Sequence, residues 1–308
     1  MYAGLRRVAR HVVKPNAPVP VPSPYPGHHG LVRSVVEGLH QIGADFNFNP
    51  ESISDLGDVV YAPANEALRQ AADCKRQGAI NTLIAGPTNA LLPHEAGGVM
   101  LTPEIDVLIV ASEWVRELTA ALAPSVARKL RVCQAGIDTE FWTRTARTRS
   151  RRPVVYWKDS PEALCVDVED VVMAAGLEPL RIKYGQYDAA AYKAALDGAP
   201  FAVFLSTFET QGLALAEAWS MDVPTLVWDP QIETEWAGAR FRAASSAPFL
   251  TPVTGLTWKT LDELEQRVKD VMNAPEQFAS RAWVRAHMTD ALCAANLYDI
   301  IRSAANGR

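Results

Sequence analysis

Nowhere in this 308-residue chain do apolar residues run uninterrupted for the ~18 that a membrane helix requires. No continuous apolar stretch near the N-terminus marks a secretory leader, so the expectation is a soluble chain, with peripheral contact at the inner face of a membrane left open. Cysteine is scarce: Cys74, Cys133, Cys165 and Cys293 stand far apart, with no C-x-x-C pair. That spacing offers neither a zinc site nor a disulfide framework, and a reducing cytoplasm is the simplest location. A basic excess is missing too. Thirty Lys and Arg against 35 Asp and Glu leave a formal charge of −5, which argues against nucleic acid as a partner, because phosphate binding leaves a basic footprint. A local phosphate site remains compatible with it.

What is present is apolar material for a core. Hydrophobic residues make up 48% and charged residues 21%, and the length suits about two domains of ~150 residues. Six prolines fall within positions 15–26, a density that forbids helix and favours an extended arm, either packed on its own domain or offered to a partner. Gly27-His28-His29-Gly30 then leads into Leu31, Val35, Val36 and Leu39 at helical spacing, with Gly43 as a stop.

From residue 58 the pattern alternates. Asp58–Pro63, Asn81–Thr88, Asp106–Ser112 and Lys129–Gly136 read as strands; Ala64–Gly78 and Trp114–Leu122 read as helices, the second capped by Ser112. Such alternation implies a parallel sheet covered on both faces. The stretch 144–152 carries five arginines and no large apolar side chain; it reads as a solvated linker or as a basic rim beside a cleft. Beyond it the rhythm resumes, with strands at Val154–Trp157, Leu180–Tyr184, Phe201–Ser206 and Thr225–Trp228. Ser160-Pro161-Glu162, Asp188 and the Thr260/Glu263 capping box start helices, and Phe278–Arg302 is amphipathic with Met288, Leu292, Leu297, Ile300 and Ile301 as its buried stripe. The resulting expectation is an α/β protein: a first domain over 1–148, a second over 149–285, and a C-terminal helix over 286–308 packing back on the first.

The segment FAVFLSTFETQGLALAEAWSMDVPTLVWD, 201–229, carries most information. It reads as a buried strand, a turn, a helix that is apolar almost all round, and a second buried strand. Glu217 is the helix's only charge, and a buried carboxylate needs a cation, a backbone donor or a ligand hydroxyl. Glu209 lies eight residues earlier in the turn, at the carboxyl end of a strand, where open parallel sheets bind ligands. Gln211-Gly212-Leu213 opens the helix with free N–H groups suited to a phosphate.

This E-T-Q-G-L-A-L-A-E stretch, followed by A-W-S-M-D-V-P-T-L-V, resembles the E-x7-E segment of family-4-like (group 1) retaining glycosyltransferases. VLIVASEWVRELTAAL and CQAGIDTEFW resemble the end of that family's first domain more weakly. The resemblance implies a GT-B fold, two Rossmann-like domains facing across a cleft. It implies a nucleotide-sugar donor, UDP- or GDP-linked, as co-substrate, with no other cofactor and no metal. Glu217 would accept hydrogen bonds from the donor's ribose, Glu209 would lie near the transferred sugar, and the segment Gln211, Gly212 and Leu213 would hold the diphosphate. The acceptor stays unassigned.

The chain also departs from that family. The usual Arg and Lys about five residues apart are represented in VVYWKDSPEAL by Lys158 alone, a phosphate contact or a surface lysine. Arg181 and Lys183 could add charge or simply form a polar sheet face. Gly27-His28-His29-Gly30 matches the family's glycine-rich loop loosely, which makes His28 and His29 candidates for the cleft, with a solvated loop as the alternative. Tyr184 could meet the donor's base or sugar, or pack locally. Asp167-Val168-Glu169 falls inside a helix and reads as a solvated face. A hexosyltransferase is the leading expectation; a non-catalytic nucleotide- or glycan-binding protein and a nucleotide-sugar epimerase are the alternatives.

Overall fold

The computed structural model describes residues 28–88, 90–242 and 245–306. The proline-rich positions 15–26 lie outside that set.

The first domain is a four-stranded parallel sheet, β1 (Val59–Ala62), β2 (Thr82–Ala85), β3 (Val107–Val110) and β4 (Leu130–Val132), paired in chain order. β2 and β3 are buried at every residue, as uniformly apolar strands must be when helices cover both faces. One face packs against α2 (Asn65–Arg76) and α3 (Glu113–Leu122) through Leu68, Ala72, Trp114 and Val115. The other packs against α1 (His28–Gln41) and a helix from the far end of the chain, which supplies Leu297, Ile300 and Ile301.

The second domain has five parallel strands: β5 (Val154–Trp157), β6 (Leu180–Lys183), β7 (Ala202–Leu205), β8 (Thr225–Trp228) and β11 (Gly255–Trp258), in spatial order β11-β8-β7-β5-β6. The order reverses at β5, whose neighbours are β6 and β7. The carboxyl ends of β5 and β7 therefore flank a topological switch point, where the diverging loops leave a crevice. Helices α4 (Glu162–Ala174) and α7 (Leu261–Asn273) cover one face. Helices α5 (Ala189–Leu196), α6 (Leu213–Ser220) and α8 (Ser280–His287) cover the other. Asp188 caps α5 by accepting from Ala191 N at 2.8 Å, and Thr260 caps α7 from Glu263 N at 3.3 Å.

The structure amends the sequence reading. Phe278–Arg302 is two helices, α8 and α9 (Asp290–Asn306), because the chain leaves helical geometry at Met288, whose carbonyl accepts from Ile137 N at 2.8 Å. Leu292 consequently faces water at 45% exposure rather than joining the buried stripe. Residues 144–152 are mostly exposed, as a solvated linker is, and are also pinned to the second domain: Arg149 donates to the carbonyls of Ala199, Pro200 and Asp222, Arg151 donates to that of Gly176, and Asp197 takes Thr145 N at 2.8 Å and Ala146 N at 3.0 Å. An antiparallel hairpin absent from the sequence reading, β9 (Glu233–Trp236) and β10 (Ala239–Arg242), follows β8. No helix among the described residues is long and apolar enough to cross a membrane.

Candidate functional site

The switch-point crevice takes its chemistry from two strand ends. β5 runs directly into Lys158, whose backbone N–H still pairs with Leu205 O at 3.1 Å. This fixes the lysine beside the loop that leaves β7. There Lys158 Nζ donates to Glu209 Oε1 at 2.9 Å, and Ser206 Oγ donates to the same oxygen at 2.9 Å. Burial alone would lower the Lys158 pKa, but the adjacent Glu209 carboxylate holds it above its ordinary value. Tyr184, just past β6, is 48% exposed and has Lys158 Nζ 5.2 Å from its ring centroid. Lys158, Glu209 and Tyr184 thus meet, as their positions at neighbouring strand ends demand.

The first domain holds the Glu209 loop from the other side. Trp114 Nε1 donates to Glu209 O at 2.9 Å, and Ser112 Oγ donates to Thr210 O at 2.6 Å. Ser112 does stand at the start of α3, but its hydroxyl serves this contact instead of capping the helix. Gln211, a candidate phosphate contact, is 7% exposed and makes a two-point pair with Ala135: it accepts from Ala135 N at 3.0 Å and donates to Ala135 O at 2.9 Å. Its side chain is committed to joining the domains. Gly212 follows at φ +80°, and an added Cβ would lie 2.8 Å from Leu215 Cδ1. Glycine turns the chain there into α6, whose intrahelical bonds begin with Ala216 N to Gly212 O at 3.2 Å, leaving the N–H groups of Leu213, Ala214 and Leu215 without intrahelical acceptors.

Glu217 lies one helical turn deeper, partly buried between Ala216 and Ala218, which are fully buried. Its carboxylate makes no hydrogen bond or ion pair among the described residues, and burial pushes its pKa up to about 8 against the pull of Arg33. Arg33, on α1, is itself clamped by Asp290 at 2.7 and 3.0 Å. Tyr187 and Tyr192 lie close enough for the Glu217 charge to add to the burial that raises their phenols. Ionised Glu217 therefore lacks the partner that a carboxylate in this setting requires.

Other candidates go elsewhere. Arg181 is engaged by Glu169 at 2.7 Å and by a closer second contact, and Lys183 Nζ sits 4.4 Å over the Trp157 ring. Neither reaches Glu209. Ser160, read as a cap, has an unpartnered buried hydroxyl, and Pro161 occupies the capping position. His28 and His29 are the first two residues of α1, and their side chains lie outside the described set. No cluster of three or more His, Cys, Asp or Glu side chains that could hold a metal occurs among the described residues. Ser206 and Arg33 went unnoticed in the sequence. Ser206 could have been picked out as the last polar residue of a buried strand three positions before Glu209; Arg33 carries no such mark.

No protein-family model and no curated protein matches this chain. Solved structures do. A lipopolysaccharide outer core galactosyltransferase, WaaB, in its apo form shares 14% identity over 89% of this chain and 80% of its own, with a TM-score of 0.58. A glycosyltransferase from Rickettsia africae matches at 9% identity over 94% and 85%, TM-score 0.59. The catalytic domain of starch synthase IV from Arabidopsis thaliana, bound to ADP and acarbose, matches at 12% over 92% and 79%, TM-score 0.56. The fold is GT-B. In GT-B terms, the two sheets are the facing Rossmann-like domains, and the Lys158–Glu209–Glu217 constellation belongs to the second.

Proposed function

We propose that this GT-B protein is a retaining glycosyltransferase that transfers a hexosyl group from a UDP- or GDP-linked donor, without a metal. The observation that carries the reading is Glu217: a partly buried carboxyl without a hydrogen bond, one helical turn beyond Gly212 at a switch-point crevice. Ribose hydroxyls would supply the missing donors. Lys158 would exchange Glu209 for the donor's diphosphate, joined by the amides at the start of α6, with Tyr184 at the rim. In the transfer, the acceptor hydroxyl oxygen bonds the anomeric carbon as the carbon–oxygen bond to the diphosphate breaks. The nucleoside diphosphate leaves with the electron pair, and the hydroxyl proton ends on its terminal oxygen. Fixed donors around that developing charge lower the barrier.

A panel of UDP-, GDP- and ADP-sugars tests this by calorimetry and by slow donor hydrolysis, with and without EDTA. One donor should bind, and Glu217→Ala should weaken it at least about tenfold, ~1.4 kcal/mol, while the variant keeps its circular dichroism. Equal binding by the variant overturns the assignment. One feature favours a second reading, a binding protein without turnover: Lys158 stands in for the usual pair of cations and is already engaged by Glu209 at 2.9 Å. Donor binding without hydrolysis or transfer would select that reading.

A further inference from the structure

The β9–β10 hairpin belongs to the second domain by sequence, yet its side chains end in the first. Phe241 is 8% exposed within the first domain's core and stacks on Trp114 at 6.4 Å. The turn is fastened by His94 Nε2, in contact with Ala237 O at 2.8 Å, and by Trp236 Nε1, which donates to Glu95 Oε2 at 3.0 Å. Phe208 meets both Trp236 and Phe241 edge-on, with centroids 6.0 Å away in each case.

Trp236 is thereby held at its N–H edge and along one side, yet remains 46% exposed. A clasp that served only to join domains would bury its indole, since exposed apolar area forgoes about 25 cal/mol per Å2. Phe208 is also the residue immediately before Glu209, so the indole packs on the sequence neighbour of the residue that holds Lys158. It reaches this place alongside Glu95, from the first domain. Both Glu95 oxygens accept one bond each, from Leu92 N and Trp236 Nε1, and each has a lone pair left.

We propose that Trp236 and Glu95 form the acceptor subsite and that the acceptor is a saccharide. One pyranose ring lies with its C–H face on the indole, and a ring hydroxyl donates to Glu95. A rigid apolar plate beside carboxylates suits a ring that is apolar on its face and a hydroxyl donor at its rim. Glu95 disfavours phosphorylated and anionic-lipid acceptors by like-charge repulsion; Glu235 is paired with Arg240 at 3.3 Å and adds nothing to this.

This inference rests on the transferase reading, and the experiment separates the two. The parent, Trp236→Ala, Trp236→Phe and Glu95→Gln are applied to a broad glycan array, and their affinity for the UDP-, GDP- and ADP-sugars is measured separately. The parent should bind a defined set of glycans. Trp236→Ala should lose at least tenfold, Trp236→Phe should retain most of the affinity, and Glu95→Gln should fall between them, all with donor affinity within twofold of the parent. Glycan binding unchanged in Trp236→Ala, or no glycan bound by the parent, overturns the subsite. Failure of every donor to bind while Trp236→Ala still abolishes glycan binding sinks the transferase reading and leaves the saccharide surface standing.

Discussion

Replacing Glu217 with Gln removes a proton that the folded protein holds and the unfolded chain releases. Burial raises the carboxyl from 4.5 to about 8, with Arg33 opposing. Between those values the unfolded chain is ionised and the folded protein is not. Stability therefore falls as pH climbs through that window and levels off above it, because the native state binds the extra proton. At ~1.4 kcal/mol per pH unit, keeping the proton throughout would amount to about 5 kcal/mol. Partial access of the carboxyl to water reduces this to about 2 kcal/mol. Gln has nearly the same shape and no charge, so Glu217→Gln escapes the loss. In urea unfolding followed by tryptophan fluorescence, the variant's advantage over the parent should widen by about 2 kcal/mol between pH ~5 and pH ~9. A gap that stays constant, or one that closes at alkaline pH, refutes the argument that Glu217 is buried without a partner.

Gln211→Ala should cost about 2–4 kcal/mol, because it strands the buried N–H and C=O of Ala135 together; a lowered urea midpoint with unchanged slope is the readout, and a loss under ~1 kcal/mol would mean that water replaces the pair. Gly212→Ala forces a side chain into left-handed geometry and against Leu215, for about 1–2 kcal/mol, and should lower the melting temperature; an unchanged midpoint would show that the turn into α6 relaxes freely.

The second domain was the more legible half because its signals are local. Thr225–Trp228 is a strand in sequence and in structure alike, since an apolar run this short, bounded by Pro224 and Asp229-Pro230, suits a buried strand and is too brief for a helix. Asp188 and Thr260 act as caps because a cap needs only its own helix. Ser112 and Ser160 show where that logic stops: the first hydroxyl turns to Thr210, nearly one hundred positions along the chain, and the second goes unused. The hairpin was invisible for the same reason. Ala239-Arg240-Phe241-Arg242 does alternate, but its partner Glu233–Trp236 carries a single large apolar residue, and Phe241, which anchors the pair, is buried in the other domain. In the site, the Glu209–Glu217 spacing was readable from one local segment, a turn and the helix that follows it. The Lys158 contact depended on two strands becoming neighbours, and Arg33 on a helix from the opposite domain.

Helix α9 ties the completion of the first domain to the synthesis of the second. It lies on α1 and on the first sheet, with Asp290 gripping Arg33 and its backbone so close to Gly38 and Gly136 that an added Cβ would lie 2.3 and 2.5 Å away, respectively. One face of the first sheet is therefore covered by α1 alone until the second domain, which precedes α9 in the chain, has been translated. A nascent first domain must wait for α9 across the whole length of the second, with Val59, Ile84 and Ile109 still lacking the cover of Leu297 and Ile300.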